Sequence, residues 1–302
     1  MDSFTITGKR MLLTGASSGI GRELAKQLAA KGARLAVAAR RRPQLESLAE
    51  EIAAAGRPAP AVIEADLSRP GAAAELARAS LAALDQVDVL VNNAGGGVGG
   101  RIAAVGDREE AREAFEVNYW SPLALIQALA PPMRERGDGA IVNVTSMGQV
   151  STWPGFGAYA ATKAALSLAT ETLGMEMEGT GVRVMEVLPG PVDTAVQGET
   201  RLAPGIDRML ARTPLGDAAT MASRIVTGLE QGSRRVIYPR RATLAYLLPA
   251  LARWDARRLA KQASEEVEGW EALEDLVVRT GSQGDEITKL ARANWEESRG
   301  RA

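Results

Sequence analysis

The sequence predicts an α/β fold: a doubly wound parallel sheet with helices on both faces. Three observations predict it. Short β-rich apolar runs alternate with longer helical patterns, which is how a chain of βαβ units reads. The first unit carries a glycine-rich turn between its strand and its helix, LLTGASSGIG. No repeat or low-complexity linker interrupts the alternation until about Arg240, where the pattern becomes helical throughout.

Taken in order, RMLLT (10–14), RLAVAA (34–39), AVIEA (61–65), VDVLVNN (87–93), AIVNVTS (140–146), VRVMEVLP (182–189) and RVIYP (235–239) are expected strands. They are short, apolar and rich in branched residues, as strands buried on both faces must be. Helices are expected over 20–31, 43–55, 72–84, 108–136, 158–177 and 218–231. Residues 1–240 therefore form one domain, and 241–302 form a C-terminal helical extension. Its first part, RRATLAYLLPALARWDARRLAKQ, is basic and amphipathic. Leu247, Leu248 and Leu251 are expected to be buried on the sheet edge or against a partner subunit. Contact with a membrane surface or a lipid-like substrate is the less favoured reading. An acidic, tryptophan-bearing helix follows, SEEVEGWEALEDLVVR.

Composition narrows the chemistry. Apolar residues make up 46% of the 302 and charged residues 24%, enough for an ordinary core. A net charge of −1 supplies no field to recruit nucleic acid. The chain has no cysteine and no histidine, which removes thiolate nucleophiles, cysteine-rich zinc sites and the commonest general base. Proton chemistry must use Tyr, Lys, Asp, Glu or Ser. The glycine motif begins at Thr14 and no apolar run reaches spanning length, so a cytoplasmic chain without signal peptide or membrane helix is expected.

In TGASSGIG, Gly15, Gly19 and Gly21 permit a tight turn and close backbone approach to a ligand. The helix that follows aims free N–H groups and its positive dipole end at a pyrophosphate. The same turn is also built for purely structural reasons; its place in the first βα unit favours a dinucleotide. After the second strand stands AARRRP, with no acidic residue for a ribose 2′-hydroxyl. Arg40, with Arg41 or Arg42 behind it, suits a 2′-phosphate instead, so NADP is favoured over NAD. Asp66 suits the adenine amino group or, equally, a local turn.

YAATK places Tyr159 and Lys163 one helical turn apart on one face. A neighbouring ammonium stabilises phenolate and lowers a pKa that is otherwise near 10. Ser146 stands at the C-terminal end of a parallel strand, where ligand sites of such sheets gather. Asn118 is a poor interior helix former inside an expected helix.

These residues together resemble the short-chain dehydrogenase/reductase family over about residues 8–240. The features carrying the likeness, in family order, are TGASSGIG, Asp66–Leu67, NNAG at 92–95, Asn118, Ser146, YAATK and PGPVDT at 189–194. The resemblance implies a Rossmann-type sheet of about seven strands, ordered 3-2-1-4-5-6-7. It implies a catalytic tetrad: Tyr159 exchanges the proton, Ser146 orients the substrate oxygen, Lys163 holds the nicotinamide ribose and lowers the tyrosine's pKa. Asn118 would hold a helix distortion and a relay water. Cofactor contacts are implied for Gly15, Ser17, Ser18, Gly19, Ile20 and Gly21, for Arg40, Asp66 and Leu67, and for Asn92, Ala94 and Gly95. They continue with Tyr159 and Lys163, then Pro189, Gly190, Val192 and Thr194.

The expected activity is NADP(H)-dependent interconversion of a carbonyl and an alcohol on a small to medium apolar substrate. Its pocket would be lined by Met147, Trp153, Phe156, Val196, Leu202, Ile206 and Met209. Two alternatives stand beside it: a 3-oxoacyl-thioester reductase of fatty-acid or polyketide type, and a catalytically silent NADP-binding sensor. A homodimer or homotetramer through the helices at 108–136 and 157–178 is the expected assembly.

Overall fold

In the computed structural model, the described residues are 3–151, 153–192, 216–240, 242–266 and 278–280. Strands β1 (Arg10–Thr14), β2 (Arg34–Ala39), β3 (Ala61–Glu64), β4 (Val89–Asn92), β6 (Gly139–Val144), β7 (Val182–Pro189) and β8 (Arg235–Tyr238) build one sheet. Its order is β3-β2-β1-β4-β6-β7-β8, with every neighbouring pair parallel. This is the expected 3-2-1-4-5-6-7 order, because the strand numbered five here lies outside the large sheet.

The strand residues alternate between two cores. Leu13, Val37, Val91 and Val142 face α1 (Gly19–Ala30), α2 (Arg42–Ala54) and α8 (Ala218–Glu230). Leu12, Ala36, Leu90 and Ile141 face α3 (Ala72–Leu84), α6 (Ser121–Arg136) and α7 (Gly157–Glu176). Met11, Leu12 and Leu13 of central β1 are wholly buried, each contributing on the order of 1.5–3 kcal/mol by leaving water. Asp217 caps α8, its carboxylate accepting from the Thr220 amide at 2.7 Å.

Four expectations change. The long helix at 108–136 is two helices, α5 (Glu109–Phe115) and α6, joined by a π-turn at Glu116–Trp120. The glycine-rich stretch after β4 forms β5 (Gly97–Gly99), then a short α4 (Ile102–Val105). Strand β5 pairs antiparallel with β9 (Val278–Thr280), so the helix expected through Arg279 gives way to extended chain there. The extension's first helix breaks before Pro249 into α9 (Ala242–Leu247) and α10 (Pro249–Glu266). Proline has no N–H to continue the ladder but fits a helix's first turn.

Leu247, Leu248 and Leu251 are 66%, 48% and 56% exposed, so the core of the single chain does not cover them. The extension rests on its opposite side: the Arg235 guanidinium stacks over the Tyr246 ring at 4.6 Å, and Arg253 Nε donates to the Val150 carbonyl at 3.2 Å. No described helix is long and apolar enough to cross a membrane.

Candidate active site

The glycine turn joins β1 to α1 at the C-terminal edge of the sheet. Gly15 has φ +71° and Gly19 φ +55°, both in the left-handed region. A Cβ on Gly15 would stand 2.7 Å from Ala94 Cα, and one on Gly21 would stand 2.3 Å from the Gly15 carbonyl. The turn is thus held tight against NNAG. The Thr14 hydroxyl accepts from the amides of Asn93 (3.0 Å) and Ala94 (2.9 Å). Asn93 Nδ2 in turn donates to the carbonyls of Thr14 (2.9 Å) and Gly15 (3.2 Å). Thr14 and Asn93 carry this junction; the motifs contained them, but their joint role needs the register of β1 beside β4 to be seen.

At the rim of the turn, Arg41 Nη2 donates to Ser17 Oγ (3.1 Å) and Ser18 Oγ (2.9 Å). Arg40 is exposed at the end of β2, and Arg42 turns to Glu46 one helical turn on. A hollow lined by Ser17, Ser18, Gly19, Arg22, Pro43 and Ser47 opens beside them. Asp66 is exposed, with its carboxylate accepting from the Ser68 amide (3.1 Å) and hydroxyl (2.8 Å), the local turn role. Leu67 is buried and its carbonyl accepts from Ser121 Oγ. Asn92 is buried, donating to Asn143 Oδ1 at 2.8 Å.

Deeper in the cleft the four expected catalytic residues come from three elements. Ser146 follows β6, with Oγ accepting from the Gly148 amide at 3.1 Å as it starts a 3₁₀ turn, Met147–Gln149. Tyr159 and Lys163 lie on α7, whose small residues let it sit close to the sheet. Asn118 is wholly buried within the π-turn. Its Nδ2 donates to the Gly96 carbonyl (2.6 Å) and Thr162 Oγ1 (3.0 Å), while its Oδ1 accepts from the Gly96 amide (3.2 Å). A π-turn leaves one helical register unbonded, and such turns recur at functional sites.

Gly95 brings the two halves together. A Cβ there would meet Asn118 Oδ1 at 3.1 Å and Lys163 Nζ at 3.3 Å, so a larger residue would crowd both polar heads. On the other side, a Cβ on Gly148 would stand 3.3 Å from Ser146 Oγ and 3.8 Å from the Tyr159 ring.

The electrostatics correct one expectation. Burial raises the Tyr159 pKa above that of a free phenol, and a hydrogen bond from Ser146 pulls it only partly back. Lys163 is 4% exposed and donates to the Val144 carbonyl at 3.0 Å. Burial lowers its own pKa to about 8. The ammonium is engaged by a carbonyl, and the cost of desolvating phenolate sets the direction of the tyrosine's shift.

On the far rim, Gly190 donates to the Tyr238 carbonyl at 2.6 Å after Pro189 ends β7, and Val192 bridges to Gly216. Thr194 and the pocket candidates Val196, Leu202, Ile206 and Met209 lie outside the described residues. Met147 and Phe156 are half-buried and Trp153 is buried, all in the stretch between Ser146 and Tyr159. Among the described residues no cluster of acidic groups could hold a metal ion.

This geometry has known counterparts. The family model for short chain dehydrogenase matches residues 9–204. A short chain dehydrogenase of Pseudocercospora fijiensis is 40% identical over 192 residues, 63% of this chain and 61% of that protein's length. The 11-beta-hydroxysteroid dehydrogenase 1A of Arabidopsis thaliana is 32% identical over 270 residues, 85% of this chain and 77% of that one. A fatty acyl-CoA reductase of Mycobacterium tuberculosis is 36% identical over 213 residues, 70% of this chain and 72% of that one. Among solved structures, a short-chain dehydrogenase/reductase from Burkholderia phymatum in complex with NAD superposes with TM-score 0.72 at 27% identity, covering 83% of this chain and 97% of the other. One from Sphingobium yanoikuyae in complex with NADPH gives 0.70 at 27% identity, covering 87% and 97%. A tight glycine turn, a buried lysine and a serine beside a tyrosine therefore stand on a shared architecture built for a nicotinamide cofactor, and the chain belongs to the short-chain dehydrogenase family of oxidoreductases acting on CH–OH and carbonyl groups.

Proposed function

We propose that the protein is an NADP(H)-dependent reductase or dehydrogenase interconverting a carbonyl and an alcohol on an apolar substrate. The observation that carries this reading is the convergence of Ser146 on Tyr159, with Lys163 beside Gly95 one helical turn further along α7. Gly15, Ser17, Ser18, Gly19, Ile20 and Gly21 would cradle the pyrophosphate, and Asn92, Ala94 and Gly95 would line the cofactor's path. Lys163 would hold the nicotinamide ribose, while Val192, together with Thr194, would take the carboxamide. When bound, the nicotinamide supplies or accepts the hydride.

The chain's own residues manage the proton. In reduction, Ser146 donates a hydrogen bond to the substrate oxygen and fixes it beside Tyr159. Tyr159, whose raised pKa keeps it protonated at neutral pH, gives its proton to that oxygen as negative charge develops there. Lys163 stabilises the phenolate so formed and, with a pKa of about 8, is poised to return a proton. Oxidation runs the same transfers backwards.

NADP rather than NAD is favoured by the end of β2, where Arg40 and Arg41 stand in place of an acid and Arg41 already touches the turn. An apolar substrate is favoured by Met147, Trp153 and Phe156. The names of two relatives point the same way, one to a hydroxysteroid and one to a fatty acyl-CoA. The second name favours an acyl-thioester substrate as the runner-up, though Arg134 and Arg136 are the only hint of a basic carrier-docking patch, and Arg136 already donates to the Val87 carbonyl. Residues 1–240 would form the catalytic domain and 241–302 an extension. The exposed Leu168 and Met175 of α7 and Trp120 of the π-turn favour a homo-oligomer.

The test is NADPH oxidation against a panel of apolar ketones, aldehydes and acyl thioesters. Turnover abolished by Tyr159→Phe supports the reading; tight coenzyme binding with no turnover on any of them supports a silent sensor.

A further inference from the structure

Behind the tetrad, four polar residues stand side by side across four parallel strands. The pairing runs Asn92 to Asn143, Asn143 to Glu186, and Glu186 to Arg235. All four therefore face the same layer as Leu90 and Ile141, the layer covered by α6 and α7. Glu186 is only 3% exposed. A carboxylate so deep is retained only where donors surround it.

Those donors come from α7, from the strand end and turn that hold Ser146, and from β8. Oε1 accepts from Ser167 Oγ of α7 (2.6 Å), from Thr145 Oγ1 (2.9 Å) and from Gln149 Nε2 of the turn after Ser146 (3.2 Å). Oε2 accepts from Arg235 Nε of β8 at 2.8 Å. Gln149 also donates to Ser167 at 2.9 Å, and one helical turn on, Thr170 accepts from Asn143 Nδ2 at 2.9 Å. Thr145 immediately precedes Ser146, and Ser167 stands one turn beyond Lys163. One carboxylate thus joins the two segments whose relative placement sets the distance between the serine and the tyrosine.

We propose that Glu186 is a positioning residue, fixing the register of α7 against the Ser146 turn so that Tyr159 and Ser146 meet. Its charge is balanced by Arg235, which also stacks on Tyr246 of the extension, so the first helix of the extension braces the same network. A sheet row without donors would leave α7 held by apolar contacts, which tolerate axial sliding of a fraction of a helical rise. Reaction geometry does not tolerate it: misplacement by about 1 Å costs roughly a hundredfold in rate.

The proposal rests on Ser146 and Tyr159 being the reacting pair, so its test has one readout that needs no turnover. Variants Glu186→Gln and the paired Glu186→Met/Arg235→Met are compared with wild type; the pair avoids stranding one buried charge if the single variant does not fold. The phenol of Tyr159 is titrated by ultraviolet difference absorbance, using Tyr159→Phe in each background to isolate its signal. In the folded paired variant the Tyr159 titration moves to higher pH, because the Ser146 hydrogen bond is lost, and kcat falls about tenfold or more while KM for NADPH stays within about twofold. Glu186→Gln, which keeps an acceptor for Ser167 and Thr145, recovers part of both. A Tyr159 titration and a kcat that both match wild type in the paired variant would overturn the proposal. A shifted titration in a chain whose wild type turns over no carbonyl substrate would keep the positioning role and remove the proposed activity instead.

Discussion

Lys163 donates from Nζ to the carbonyl of Val144, two residues before Ser146, across 3.0 Å. The bond anchors the lysine's head beneath the serine, and it also shows what the site costs the fold. A lysine 4% exposed, with its pKa lowered from 10.5 to about 8, is destabilising when charged. The unfolded chain keeps this proton up to about 10.5 while the folded chain releases it near 8, so stability rises with pH through that window. Below 8 the cost is fully present. Lys163→Met is therefore expected to be inactive yet more stable at pH 7, by up to about 3 kcal/mol, with the gain shrinking as pH approaches 10.5. Urea melts at pH 7 and pH 10 check both signs.

Tyr159 titrates in the opposite sense. Burial keeps its phenol protonated beyond the usual tyrosine range, and the Ser146 hydrogen bond opposes burial. Reduction needs the protonated phenol and should be nearly flat with pH through neutrality. Alcohol oxidation needs the phenolate, so kcat/KM should climb steadily from pH 7 to 10 without a plateau. Ser146→Ala removes the opposing bond and should move that climb to still higher pH, besides lowering kcat by two orders of magnitude or so. A pH–rate profile for oxidation in wild type and variant reads out both effects.

The sequence made the central sheet legible because its strands are short apolar runs buried on both faces, such as RMLLT and RLAVAA, separated by clear helical periods. The proposed tetrad was suggested by the sequence for a different reason: YAATK fixes its own spacing, and Ser146 closes a strand. What stayed hidden depends on register between distant segments. The row from Asn92 to Arg235 exists only because four strands align those positions, and Glu186 inside VRVMEVLP reads as an outlier in a strand until Ser167 and Thr145 are seen to meet it. The π-turn at Asn118 was hinted at by one poor helix former, but its extent was not. Strand β5 lies in GGGVGG, which has no periodicity to read, and its partner β9 is about 180 residues away. The phenol's raised pKa was missed because Tyr–Lys spacing conveys charge and not burial.

Gly21 gives a steric prediction. A Cβ there would stand 2.3 Å from the Gly15 carbonyl and 2.5 Å from Asn93 Nδ2, both parts of the junction that shapes the turn. Gly21→Ala must push α1 away from β1, at about 1–3 kcal/mol for such overpacking. Because the displaced atoms are those that form the cradle, coenzyme affinity should fall along with stability. Gly174, which has nothing within 4 Å of an added Cβ, is the control: Gly174→Ala should leave coenzyme binding unchanged. Thermal melts with and without NADPH separate the two, since the coenzyme-induced rise in Tm should persist only in the control.

In the proposed function, coenzyme choice turns on the two arginines after β2. Arg41 donates to both serines of the turn, Ser17 at 3.1 Å and Ser18 at 2.9 Å, so its guanidinium already stands beside the cradle. Arg40 is exposed one residue earlier, at the strand end where a 2′-phosphate or a 2′-hydroxyl would be met. A guanidinium can pair with phosphate through two parallel hydrogen bonds, whereas a carboxylate there repels phosphate and accepts from a hydroxyl. Arg40→Asp should therefore weaken NADPH by a factor of about ten or more, at least about 1.4 kcal/mol, and leave NADH unchanged or improved. Arg41→Ala should weaken both coenzymes, NADPH more strongly, because it removes a phosphate partner and also loosens the Ser17–Ser18 rim. Dissociation constants for the two coenzymes, measured by quenching of tryptophan fluorescence, decide the matter. Equal losses for NADPH and NADH in Arg40→Asp would assign that arginine to the fold and return the choice of coenzyme to the NAD side.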